Sequence, residues 1–141
     1  MPPKSVFVLD TSALLALRSD ESGADRVETV IQQAKRNQVR LLVSFMTRME
    51  VLYRVWREEG HEAAREALRL IDSFPIEWVS CGPEILEMAA RLKAQRKLSV
   101  ADSWIGATAI IRGATLIHKD PEFKNFKEIP QEFLGKRAGS Q

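Results

Sequence analysis

Four short apolar runs, separated by long helix-like stretches, constrain this chain more than any other feature. They are Ser5–Leu9, Arg40–Ser44, Ile76–Ser80 and Ala114–His118. All four are of strand rather than helix length. The nearly continuous apolar character of the first suits a strand buried on both faces of a parallel sheet. Between them the spacing turns helical. Ala13–Leu17 begins one helix after Asp10-Thr11-Ser12, residue types that cap helices. A second stretch runs from Gly23 to about Asn37 with Val27, Val30 and Ile31 on its apolar side. Phe45–Glu58 and His61–Asp72 follow, parted by Gly60, and then Ile85–Lys97 after Pro83. Val100–Ile111 is apolar nearly all round and ends at Gly113, a good helix stop. Ile129 and its neighbours add a last short strand. Strands alternating with helices predict an α/β fold of three layers. Its central sheet is mostly parallel, has four to five strands and is flanked by helices.

At 141 residues the chain is sized for one domain, with a core over about 5–130 and a small polar tail, 135–141, expected to be flexible. Hydrophobic residues make up 45% and charged residues 28%, a globular rather than disordered balance. The single cysteine, Cys81, rules out an internal disulfide and a thiolate zinc cluster, and is expected to be a small buried hydrophobe. No stretch reads as a signal peptide or as a bilayer span, so the expectation is a cytoplasmic protein without membrane contact. A net charge of +2 is compatible with a nucleic-acid partner if the cations and the acids segregate.

Ligands of parallel α/β sheets bind beyond the carboxyl ends of the strands. Asp10 follows the first strand and Asp120 the fourth; Glu50 lies two turns into the helix after Ser44, and Asp102 opens the apolar helix. Each has a plain alternative. Asp10 and Asp102 suit helix caps, Asp120 before Pro121 suits a turn, and Glu50 suits an ion pair with Arg54 four residues on. Glu50 borders a stripe of Phe45, Met49, Leu52, Tyr53 and Trp56, expected to face the core. Val51 and Val55 lie off it, as a dimer interface or a partner-binding groove would require. Asp102 is the hardest to dismiss, because a carboxylate in a buried helix needs a partner or a cation. Four gathered carboxylates repel, and one or two divalent ions, Mg²⁺ or Mn²⁺, remove the conflict. Such a centre suits phosphodiester hydrolysis by a metal-activated water. Neither His61, read as surface, nor His118, read as structural, is needed as a base.

The ordered segments Val8–Leu15, Val43–Leu52, Ala101–Ala109 and Ala114–Phe123 resemble the PIN-domain nucleases, most closely the VapC-type toxins of toxin–antitoxin pairs. The resemblance spans about Val6 to Phe126. It implies a PIN-like fold and a metal-dependent endoribonuclease with Asp10, Glu50, Asp102 and Asp120 as its catalytic and metal-binding set. Ser12 would support the first acid, with Thr11 and Ser44 as weaker supports. It also implies a homodimer and an antitoxin that inserts a segment near the site. The chain departs from the pattern at Ser103, often alanine, and at His118-Lys119, often a Thr-Asn or similar pair. Arg91, Lys93, Arg96 and Lys97 form the densest basic cluster and, with Lys119, are candidate RNA phosphate contacts; Lys119 and Lys124 lie nearer the expected mouth. The competing reading is a non-catalytic PIN-like RNA-binding or scaffold protein. A receiver domain needs an acidic pair after the first strand, and a haloacid-dehalogenase-like phosphatase needs an aspartate where Ser12 stands.

Overall fold

Strand β1 (Ser5–Leu9) occupies the middle of a five-stranded sheet, and the chain builds outward from it first on one side and then on the other. The computed structural model describes residues 4–135. Helices α1 (Thr11–Arg18) and α2 (Ala24–Lys35) lead to β2 (Val39–Ser44). Helices α3 (Phe45–Glu59) and α4 (His61–Asp72) lead to β3 (Ile76–Val79). Helices α5 (Pro83–Gln95) and α6 (Val100–Arg112) cross to β4 (Thr115–His118). A 3-10 turn, Pro121–Phe123, precedes β5 (Gln131–Phe133). The strand order is β3-β2-β1-β4-β5 and every pairing is parallel. The order reverses between β1 and β4, which makes their carboxyl ends the switch point at which such sheets bind ligands.

Alternate residues of the strands feed two separate cores, which is why their sequences read as unbroken apolar runs. Val8, Leu42 and Leu116 pack with Ile85, Leu92, Ile105 and Phe123 on the α5–α6 face. Leu9, Leu41, Val43 and Ile117 pack with Leu14, Val27, Ile31, Val51 and Ala64 on the α1–α4 face.

Several expectations are corrected. The last strand is Gln131–Phe133, paired in register Leu116↔Gln131, while Ile129 itself is a buried core residue. Helix α3 is turned the other way round from its expected stripe. Thr47, Val51 and Val55 are buried, whereas Met49, Tyr53 and Trp56 are 61%, 41% and 48% exposed. Small and β-branched side chains let α3 sit close against Ala64, Ala67 and Ile71 of α4, and the bulkier residues are left outside. Cys81 lies in the connection after β3 and is exposed, not buried. Apart from Gly135, the tail expected to be flexible lies outside the described residues.

Candidate active site

Asp10 sits where β1 stops. Its extended backbone (φ −82°, ψ 175°) makes it the cap of α1, and its Oδ1 accepts a hydrogen bond from the Ala13 N–H at 2.9 Å. The capping role foreseen for it is therefore real. It does not use up the carboxylate, because Ser12 Oγ lies 2.7 Å from Oδ1 and 2.8 Å from Oδ2 and donates to one of them. Ser12 Oγ in turn accepts the Lys119 N–H at 2.8 Å, and Asp10 N–H donates to Ile117 O at 3.1 Å. The ends of β1 and β4 are thus fastened together across the switch point.

Glu50 does not pair with Arg54 among the described residues. Its Oε1 accepts a 2.7 Å hydrogen bond from Thr11 Oγ1, which also lies 3.1 Å from the fully buried Thr47 Oγ1. This hydroxyl pair fixes the direction in which Glu50 leaves α3. Ser44, also buried, caps α3 by accepting from Met46 N–H at 3.2 Å and does not approach an acid through its side chain.

Asp102 is 7% exposed in the first turn of α6. Ser99, not Asp102, is the cap of that helix, and its Oγ accepts the Asp102 N–H at 3.1 Å. An acid three residues into a helix ordinarily reaches back to the N–H of the cap residue. Here Glu122 takes that N–H instead, at 2.8 Å. Carboxylate oxygens of Asp102, Asp120 and Glu122 all lie within 4.8 Å of one another. Asp120 also performs the turn role foreseen for it, accepting the Glu122 N–H at 2.9 Å and capping the 3-10 turn.

The electrostatics follow from this crowding. Burial is the main force raising the Asp10 carboxyl from 3.8 to about 7; Ser12 and Ala13 oppose it, and the charges of Asp120 and Glu50 add to it. Burial also raises Asp102 well above the ordinary carboxylate range, and the neighbouring Asp120 and Glu122 push in the same direction. Among the described residues no lysine or arginine pairs with these acids. The nearest basic residue in sequence, Lys119, turns its Nζ to Glu21 at 3.4 Å. Hard oxygen donors, packed closely and partly buried without a protein cation, fit a divalent metal better than they fit one another.

His118 is fully buried and serves the scaffold. Its Nδ1 accepts the Asp120 N–H at 3.2 Å, which leaves Nε2 to donate to Gln131 Oε1 at 2.8 Å. The Gln131 amide nitrogen then donates to Phe123 O and Phe126 O. Burial holds the imidazole below its ordinary pKa, in keeping with a neutral ring. His61 is exposed and stacks on Trp56 with ring centroids 3.9 Å apart.

The PIN domain family matches residues 7–129. The chain belongs to that family. Solved structures share the PIN domain's shape at low identity. A chain of VapBC2 from Rickettsia felis, bound to a DNA fragment from the promoter, superposes with TM-score 0.74 at 19% identity, over 92% of this chain and 99% of its own. A chain of DNA-bound VapBC from Salmonella typhimurium gives TM-score 0.74 at 17% identity, over 93% and 99%. VapC20 of Mycobacterium tuberculosis, a Sarcin-Ricin loop cleaving toxin, gives TM-score 0.63 at 23% identity, over 89% and 98%. No curated protein matches the chain.

In this PIN domain the foreseen basic cluster makes no ion pair with the acids among the described residues. Lys93 Nζ donates to Leu98 O at 2.9 Å, and Arg96 pairs with Glu128 at 3.1 Å. Arg91 and Arg96 line a separate cavity of about 260 Å³ beside Met88 and Ile110, and Lys97 is exposed. Lys124 is also exposed, with its Nζ 4.2 Å from the Phe133 ring centre. Lys119 borders the site through its N–H on Ser12. Two site residues went unnoticed in the sequence. Glu122 carries a signal in hindsight, since Pro121 forces a tight turn that sets it beside Asp120. Thr47 carries none, because a buried hydroxyl three residues before an acid looks like any helix threonine.

Proposed function

We propose that this PIN domain is a metal-dependent endoribonuclease and the toxin of a toxin–antitoxin pair. The observation that carries the reading is the cluster of Asp102, Asp120 and Glu122 at the end of β4, with Asp10 at the end of β1 near enough to feel the charge of Asp120. Glu50 lies near enough to Asp10 for its charge to help raise that carboxyl. Asp10, Glu50, Asp102 and Asp120 would hold one or two Mg²⁺ or Mn²⁺ ions. A bound ion of this kind supplies an activated water and offsets the charge that develops on the phosphate. The chain's own contribution is placement. Ser12 orients Asp10, Thr11 and Thr47 orient Glu50, and Glu122 keeps Asp102 out of the helix cap.

The toxin assignment draws on the structural neighbours, two of which are solved as VapBC assemblies and one of which is a toxin that cleaves the Sarcin-Ricin loop. It makes an antitoxin the protein partner and the cytoplasm the place of action. No described helix is long and apolar enough to cross a membrane. The exposed Met49, Tyr53 and Trp56 on one side of α3 supply apolar surface for a homodimer, and light scattering that finds only monomer at micromolar concentration overturns that part.

Incubation of the purified chain with RNA and Mg²⁺ or Mn²⁺ tests the activity. Wild type is expected to cleave internally, a chelator to stop it, and Asp10→Ala to lower the rate at least a hundredfold while circular dichroism stays unchanged. Binding of RNA without metal-dependent cleavage would favour the non-catalytic reading, and equal rates for Asp10→Ala would remove the mechanism.

A further inference from the structure

One turn beyond Glu50 on α3, Arg54 lines a cavity of about 330 Å³ that also meets Ser12, Arg18, Glu21, Glu59 and Lys119. Its inner residues, Ser12 and Lys119, are those that fasten Asp10 to the end of β4. Two of its three cations are already neutralised. Arg18 forms a two-pronged pair with Glu59 at 2.6 and 3.0 Å, and Lys119 pairs with Glu21 at 3.4 Å. Arg54 is different. Its expected partner, Glu50, is committed to Thr11, and Arg54 makes no ion pair among the described residues. Glu58, the remaining acid of the wall, is exposed, where solvent and salt screen it. A half-buried guanidinium without a counter-ion, in a cavity that opens beside the acids, lacks an anion of its own.

We propose that this cavity is a phosphate subsite for single-stranded RNA and that Arg54 is its anchoring cation, an inference that rests on the nuclease reading above. A planar guanidinium matches two phosphate oxygens with parallel hydrogen bonds. Four residues, about 6 Å of rise, separate Arg54 from Glu50. The phosphate it holds is therefore a neighbour of the one over the acids, not that phosphate itself. The pairs Arg18–Glu59 and Lys119–Glu21 shape the walls and add little net charge. The contact is to backbone and selects no base.

The test is fluorescence anisotropy of a labelled single-stranded oligoribonucleotide in chelator, so that no cleavage intervenes, with wild type, Arg54→Ala and Arg54→Lys. Arg54→Ala is expected to weaken binding about five- to tenfold. It should also flatten the slope of log affinity against log salt by about 0.7, the value for one single-strand phosphate contact. Arg54→Lys should recover the slope and part of the affinity. In steady-state cleavage the Arg54→Ala loss should fall on KM with kcat within about twofold. Unchanged affinity and slope in a variant of a wild type that does cleave RNA overturns the subsite alone. A wild type that neither binds nor cleaves RNA overturns the nuclease reading with it. An Arg54→Ala effect confined to binding of an acidic peptide assigns the cavity to a protein segment and also overturns the proposal.

Discussion

Glu122 shows how one side chain can govern another without sharing its task. By accepting the Ser99 N–H it occupies the acceptor position that Asp102 would otherwise fill from within its own helix. Asp102 is left facing Asp120. Glutamine at 122 preserves an acceptor for Ser99, and alanine does not. Glu122→Gln is therefore expected to keep Mn²⁺ affinity and cleavage within about threefold. Glu122→Ala should lower both about tenfold or more as Asp102 turns back to the vacated cap. Mn²⁺ titration of both variants checks this, and equal losses would mean that Glu122 acts through its charge instead. The same scale shows how far single residues could be read. Asp10 and Asp120 were visible as strand-end acids, yet each also plays the plain capping role that competes with that reading. Local geometry and chemistry are satisfied by the same atoms, so the alternatives were never exclusive.

At the scale of elements, helix stops were easier to read than helix faces. Gly113 ends α6 with φ 60°, and the following Ala114 N–H closes onto Ala109 O at 2.9 Å. A Cβ at Gly113 would meet nothing within 4 Å, so Gly113→Ala isolates the backbone term. It should cost about 1 kcal/mol, read as a lower urea midpoint with an unchanged slope. The face of α3 was misread for a physical reason. Both sides of that helix are apolar, and size favours Met49, Tyr53 and Trp56, but close packing against α4 selects Val51 and Val55. Two of the α5 cations have partners away from the acids. Lys93 is held by Leu98 O, and Arg96 ends beside Glu128.

For the molecule as a whole, the cost of gathering acids should appear in its stability. The Asp10 carboxyl lies at about 7 folded against 3.8 as its ordinary value, so the protonated form is favoured by folding. Its contribution is complete below the ordinary value and is lost as pH rises through about 7. Asp102 is shifted in the same direction. Without metal, Tm is expected to fall by several degrees from about pH 5 to about pH 8, and Asp10→Asn should flatten that decline. Millimolar Mn²⁺ should raise Tm more at the higher pH, where the carboxylates are ionised and binding is tighter. A melting temperature indifferent to pH and to Mn²⁺ would contradict the picture. The parallel sheet was legible because burial on both faces leaves a plain mark on sequence. The site was legible only where it coincides with strand ends, and Glu122 and Arg54 gained meaning from three-dimensional neighbours.

The placement of β1 between β2 and β4 bears on how the protein is made. Asp10 is translated well before Lys119, which holds the Ser12 that orients it from 107 residues later. Pairings this distant in sequence form late and slowly. A growing chain thus carries Asp10 and Glu50 before Asp120 and Glu122 are present to complete the centre. If the protein cuts RNA, the delay spares the message and the ribosome producing it until the last strand has been delivered.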